Sequence, residues 1–305
     1  MTIAVATSMQ YRRIVKEDQW LVVELQRRGH QARLAAWDDP NEDWSTTDHV
    51  VFRSVWGYQD DVPRFASWLD ELERHGVRTF NPLHVIRDNM FKDRQLAWLR
   101  RSGVPTIDTL VVARNQEVEE HVTPQPTLAE TLAAYRPQWA SAPVVIKPII
   151  SASGRDTMRA DHICDAEELF QKILTDETRR GVLVQPFAPE VAAGELSFVF
   201  LGGRFSHCVR RFPGVTSERR KAVATTPPTE AAAVAETVLS LIEVPATYAR
   251  IDIVVTGDGP KVMEVELVEP ALFLGSLDST YRRRAALQRL RDAVDAGVAP
   301  QVSAA

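Results

Sequence analysis

The chain has 305 residues, 45% hydrophobic and 25% charged, which is enough apolar material for more than one packed core. With 36 basic against 41 acidic residues and a formal net charge of −5, it has no global positive field for nucleic acid or an acidic membrane, so any anion recognition must be local. Two cysteines, Cys164 and Cys208, are too few for a disulfide framework or a thiolate zinc site, and they fit a reduced, cytoplasmic setting.

The opening "MTIAVATSMQYRR" holds only a short apolar run, and no stretch of about 18 apolar residues follows, so neither a secretory signal nor a membrane span is expected. The runs "TIAVAT", "ARLAAW" and "HVVFRS" alternate with amphipathic stretches, the pattern of βαβ units and a parallel sheet. Between two of them Phe65, Trp68, Leu69 and Leu72 recur at helical spacing behind Pro63, a residue suited to a helix start. Residues 1–80 therefore read as a small α/β domain. The segment "FRSVWGYQDD" sets Arg53, Ser54, Trp56 and Tyr58 beyond the end of an early strand, where open α/β sheets bind ligands. These four are the candidates for substrate recognition; the alternative is an aromatic core cluster.

Two helices are predicted in "NPLHVIRDNMFKDRQLAWLRRSGVP", the second stopped by Gly103 with Pro105 just beyond. Residues 113–143, rich in Pro, Gln, Thr and Ala, read as a connection carrying one helix near 127–135. Next come the strand "VVIKP", the small-residue loop "ISASGRD", a strand near 157–160, and a helix whose apolar face is Ala166, Leu169, Phe170, Ile173 and Leu174. The runs "VLVQPF" and "ELSFVFLGGRFSHCVRR" read as strands, the latter turning at Gly202-Gly203. Two late strands, "YARIDIVV" and "KVMEVELVE", form a predicted hairpin about "TGDGP", and an Arg-rich helix near 280–296 closes the chain.

Several nucleotide and hydrolase signatures are absent. There is no G-x-x-x-x-G-K-[ST] run, no G-x-G-x-x-G after an early strand and no G-x-S-x-G elbow, and the seven histidines lack metal-ligand spacing. What remains is local. A strand of four apolar residues that ends on Lys147 needs an anion beyond that end, because a lysine is strongly hydrated and is badly placed without one. In the late hairpin, alternation puts Arg250 and Asp252 on one face, and Glu264 and Glu266 together roughly 7 Å apart, with Met263, Val265 and Leu267 opposite. Carboxylates crowded on one face raise one another's pKa unless a cation lies between them, and Mg2+ with its taste for a few carboxylates plus phosphate oxygens satisfies them. The alternative is the solvated outer face of an exposed hairpin.

The order of these features resembles the ATP-grasp superfamily of carboxylate–amine ligases, over roughly residues 80–275. The resemblance implies an α/β and α+β fold: an N-terminal parallel domain (1–80), a central domain with the small ATP-grasp lobe (81–180), and a C-terminal lobe with the metal site (181–305). By motif, Lys92 and Lys147 would contact the ATP phosphates, and the loop Ser151, Ala152, Ser153 and Gly154 would fold over them. Gln185 to Phe187 would form the hinge whose backbone reads the adenine edge, with Phe187 lining the slot, and Glu195 would take the ribose hydroxyls. Asp252, Glu264 and Glu266 match the Mg2+ ligands, although the last more often is Asn; a nearby arginine would offset the extra charge. Arg250 matches an arginine that stabilises the acyl phosphate and the tetrahedral intermediate, while Arg210 and Arg211 are further phosphate or substrate candidates whose register the sequence leaves open, Arg211 being taken as catalytic with Arg250 and Lys147.

The implied chemistry is ATP-dependent C–N ligation of a small, amino-acid-like substrate through an acyl phosphate. The motifs "FRSVWGYQ", "KPIISASGRD" and "MEVELVEPALFL" look most like the branch containing the cyclo-ligase of D-cycloserine biosynthesis, an antibiotic pathway. That implies closure of a ring from O-ureido-D-serine by its own aminooxy-type nitrogen. A relative joining two amino acids, a small-molecule kinase on the same fold, or a nucleotide-binding module without catalysis stays open, as does homo-oligomerisation.

Overall fold

The computed structural model describes residues 1–12, 15–114, 121–152, 154–212, 222–242, 245–277 and 279–298. Its first sheet is built from β1 (Thr2–Thr7), β2 (Gln31–Ala36), β3 (His49–Ser54) and β4 (Arg78–Phe80), with α1 (Lys16–Arg27) and α2 (Val62–Arg74) between strands. All pairings are parallel in the order β2-β1-β3-β4, so the chain reverses its direction of winding between β1 and β3. The carboxyl ends of those two strands bracket the position where such sheets admit ligands. α2 starts where expected, with Asp61 accepting from the Arg64 N–H, and buries Phe65, Trp68, Leu69 and Leu72 against the sheet.

Next, α3 (Leu83–Asn89) and α4 (Lys92–Arg101) lead to a second sheet. It comprises β5 (Leu110–Val112), β6 (His121–Val122), β7 (Val144–Pro148), β8 (Met158–Ala160) and β9 (Val182–Pro186), in the order β6-β5-β9-β7-β8. α5 (Leu128–Tyr135), opened by a Thr127/Glu130 capping box, and α6 (Glu167–Thr175) supply Leu128, Leu132, Phe170, Ile173 and Leu174 to its core. β9 lies in the middle of this sheet, hydrogen-bonded to β5 and β7, so the sheet runs past residue 180, the boundary expected from sequence, to Pro186. The entry of β9 needs a glycine: a Cβ on Gly181 would stand 2.5 Å from the Val112 carbonyl oxygen.

The third sheet is antiparallel, β12-β11-β10-β13-β14, formed by β10 (Glu195–Leu201), β11 (Arg204–Arg211), β12 (Ala222–Thr225), β13 (Tyr248–Thr256) and β14 (Gly259–Glu266). α7 (Thr229–Ser240) and α4 cover one face through Ala231, Ala235, Val238 and Leu99. The last helix, α8 (Thr280–Val298), returns to the first domain, where Leu290 and Val294 join its core and Arg291 pairs with Glu24 of α1. No helix among the described residues is long and apolar enough to cross a membrane.

The two thiols differ sharply. Cys164 is exposed, whereas Cys208 is buried in β11 and burial pushes its pKa up to about 12. At pH 8 a thiol-specific reagent is expected to label one cysteine in the native protein and two after denaturation, because the thiolate is the reacting form. Rapid native labelling of both would contradict this packing.

Candidate active site

The late hairpin forms with the register that the acidic face requires. Arg250 of β13 faces Glu266 of β14, and Asp252 faces Glu264. Beyond Asp252 the register slips, since Ile253 pairs with Val262, and Met263 is the extra residue of a β-bulge. The bulge corrects one expectation: Val265 and Leu267 pack into the core, but Met263 turns to the cavity that the acidic residues line. One carboxylate oxygen from each of Asp252, Glu264 and Glu266 lies within 4.8 Å of the others, so the set is closed enough for a single ion.

The protein balances this charge unevenly. Burial opposes ionisation of Asp252, but Arg211 and Arg250 outweigh it and hold the carboxyl below the usual range. Glu264 is likewise held low against its burial by Lys92 and Lys147. Glu266 pairs with Arg250, yet burial dominates and pushes it up to about 8. A buried carboxyl in that state marks a site short of positive charge, and hard oxygen donors at this spacing suit Mg2+. Arg250 offsets the additional carboxylate at position 266, but its fork is filled by Asp252 and Glu266, and it does not line the cavity.

Facing the hairpin are two lysines from the second unit. Lys92, the first residue of α4, binds Glu264 at 2.9 Å and the Ser151 carbonyl. Lys147, next to last in β7, is half-buried in the same cavity, which measures about 540 Å3. Burial lowers its pKa below that of an ordinary lysine, against the pull of Glu264, and it makes no ion pair among the described residues. Among the described residues its largest acidic influence is Glu264, with which it forms no ion pair.

Ser151, Ala152 and Gly154 line the cavity beside Lys147; Ser153 lies outside the described residues. The loop is pinned from behind by Arg179, which sequence reading missed because its partners are distant. Arg179 donates to the carbonyls of Gln59 and Ile150 and pairs with Asp60 at 3.2 Å and Asp156 at 3.3 Å. Replacing Arg179 by alanine leaves two buried carbonyls unpaired, for an expected loss of about 1–3 kcal/mol. Urea unfolding checks this; an unchanged midpoint would show that the clamp is idle.

The other end of the cavity is apolar, with Ile107, Val145, Phe187, Ala188 and Val191. The Arg159 guanidinium lies 3.9 Å from the Phe187 ring centroid. One hinge expectation changes here, since the Phe187 N–H is committed to the Pro143 carbonyl at 2.9 Å; the Gln185 side chain donates to Thr109 at 2.8 Å. Phe187 is thus available through its ring rather than its amide. Glu195 pairs with Arg211 at 2.7 Å, and both line the cavity, while strand alternation sends Arg210 to the Ala193 carbonyl instead. Arg211 also binds Asp252 and Ser197, each at 2.7 Å.

The four expected substrate residues separate. Tyr58 lines the main cavity and stacks on Phe65. Arg53, Ser54 and Trp56 line a separate hollow of about 250 Å3 instead. Arg53 is buried against Asp18 at 3.3 Å and donates to the Pro270 carbonyl; Ser54 donates to Asp18 at 2.6 Å; Trp56 meets Tyr11 edge-on. The Arg53 bond to Pro270 ties the first domain to the loop after β14.

A cavity of nucleotide size between two α+β sheets, with lysines on one wall and carboxylates on the other, is the arrangement of an ATP-grasp enzyme. Residues 3–81 match the family model "D-cycloserine synthetase DcsG, N-terminal domain", and residues 113–257 match "Prokaryotic glutathione synthetase, ATP-grasp domain". The chain is 30% identical over 273 residues to cycloserine biosynthesis protein DcsG from Streptomyces lavendulae, covering 81% of this chain and 84% of that one. A crystal structure of D-cycloserine synthetase DcsG superposes with a TM-score of 0.78 at 26% identity, over 96% of this chain and 99% of the other. D-alanine–D-alanine ligase from Bacillus anthracis, complexed with ATP, shares the fold with a TM-score of 0.65 at 16% identity, over 97% of each chain. The chain belongs to the ATP-grasp ligases, in the family of cycloserine biosynthesis protein DcsG, and is an enzyme that forms C–N bonds.

Proposed function

We propose that this ligase uses ATP to convert a substrate carboxylate to an acyl phosphate, which an amine or aminooxy nitrogen of a small amino-acid-like molecule then attacks. The observation that carries the reading is the shared cavity, lined by Lys92 and Lys147 on one side and by Asp252, Glu264 and Glu266 on the other. Lys92, Lys147 and the backbone of residues 151–154 are assigned to the phosphates, the Phe187 ring to adenine and Glu195 to ribose. Asp252, Glu264 and Glu266 would hold Mg2+, which supplies charge neutralisation for the phosphoryl oxygens. Arg211, on the cavity wall, is assigned to the acyl phosphate; Arg250, behind it, holds Asp252 and Glu266 in place. We assign the three units to residues 1–80, 81–186 and 187–305, with Tyr58 of the first reaching the site.

The protein's part is positioning and electrostatics, with no covalent nucleophile. A carboxylate oxygen attacks the γ-phosphorus and ADP leaves; the nitrogen attacks the acyl carbon and phosphate leaves. The narrower reading is intramolecular: in O-ureido-D-serine the oxygen-bound nitrogen closes the ring, and hydrolysis of its carbamoyl group gives D-cycloserine. Similarity to DcsG in the N-terminal family model and over 273 residues of the Streptomyces lavendulae protein supports it.

The test is phosphate release with ATP, Mg2+ and a panel of amino acids and aminooxy acids, followed by mass spectrometry. Turnover on O-ureido-D-serine alone, with the ring as product, is expected. A rate requiring two amino acids together would make the enzyme an intermolecular ligase, and a stable phosphorylated product would make it a kinase.

A further inference from the structure

The cavity holds one carboxylate that neither the metal cluster nor the nucleotide assignment uses. Glu269 sits three residues past Glu266, only 6% exposed, and lines the main cavity. It is not part of the three-carboxylate cluster. Its one side-chain partner is the neutral amide of Gln59, at 3.4 Å. The cations that act on it are engaged elsewhere, Lys92 with Glu264 and Arg250 with Asp252 and Glu266, and Glu269 has no ion pair among the described residues. Tyr58 lines the same cavity, and ionisation of its phenol is resisted by burial and by Glu269. Burial outweighs the pull of Lys92 and Arg250 and pushes Glu269 up to about 7.

A buried carboxylate is costly without a cation, and this one faces open cavity. It is also held in place: Arg53 and the Pro270 carbonyl anchor the next residue to the first domain. The position lies between that domain, through Tyr58 and Gln59, and the acidic hairpin. We infer that Glu269 is a specificity residue that binds the ammonium group of an amino-acid substrate, orienting the carboxylate to be phosphorylated. The inference rests on the ligase reading above and adds the recognition of a cationic substrate. Gln59, its hydrogen-bonding neighbour, and Tyr58 across the cavity lining are both neutral, which leaves the ammonium as the compensating charge.

The test begins with the panel compound that gives wild-type enzyme the highest phosphate release, compared with its des-amino counterpart. Glu269→Gln keeps the shape and the Gln59 contact while removing the charge. It is expected to raise KM for the amino compound roughly 10- to 100-fold. KM for ATP and the Mg2+ requirement should stay as in wild type, and both proteins should handle the des-amino compound equally poorly. Wild-type enzyme that uses the des-amino compound as well as the amino one overturns the inference whether or not the variant folds. A Glu269→Gln variant that loses Mg2+ dependence instead also overturns it, by making Glu269 a metal ligand. If the best compound is not O-ureido-D-serine, the ring-closing reading falls but the comparison still decides the role of Glu269. If nothing turns over, D-serine and L-serine binding with Mg2+ and ADP is measured by calorimetry; no binding, or equal binding to Glu269→Gln, overturns the inference.

Discussion

Lys147→Ala is expected to reduce phosphate release by at least about 100-fold, the scale seen when one preorganised electrostatic donor is removed from an active site. Lys147 projects into the cavity from the end of β7, opposite Glu264 and Asp252, and has no ion-pair partner among the described residues. Its charge is thus available to a phosphate that gains negative charge as the phosphoryl group transfers. Because burying that lysine opposes folding, its removal should not lower stability. The combined outcome separates catalysis from structure: lost turnover with an unchanged or raised thermal midpoint by circular dichroism. Near-normal turnover would take Lys147 out of the mechanism.

Glu264→Ala should be as damaging for a different reason. Glu264 is the meeting point of the two halves of the site, bound by Lys92 at 2.9 Å and opposite Asp252 in the hairpin. Its loss removes one of the three carboxylates proposed to hold Mg2+ and releases Lys92 from its ion pair. Turnover is expected to fall by at least about 100-fold, and Mg2+ at concentrations that saturate wild type should not restore it. Since Glu264 is held ionised by its lysines, its pKa lying below the ordinary glutamate value, the effect should persist throughout the neutral range. A variant with wild-type Mg2+ dependence would show that the metal, if used, is held elsewhere.

Much of the site was legible because it depends on local periodicity. The two-residue repeat of a strand suffices to place Arg250, Asp252, Glu264 and Glu266 together, and the register then confirms their opposition. The same rule failed at Met263, since a bulge changes the face of a residue without leaving a mark in the pattern. It also failed to separate Arg210 from Arg211, because an arginine pair has no intrinsic register until Glu195 is paired with one of them. Arg53 and Ser54 were read as ligand-facing from their place at a strand end, but a buried arginine seeks a carboxylate, and Asp18 lay 35 residues away on α1. Arg179, Glu269 and the return of α8 to the first domain share this cause: each is defined by contacts far apart in the chain. β9 was assigned beyond a boundary that sheet pairing, not composition, decides.

The most direct measurement is a crystal structure grown with AMP-PNP and Mn2+ as an anomalous stand-in for Mg2+. The expected map has the anomalous peak among Asp252, Glu264 and Glu266, with the nucleotide phosphates between that peak and the side chains of Lys92 and Lys147. A nucleotide bound outside this cavity, or a manganese peak away from all three carboxylates, would contradict the account.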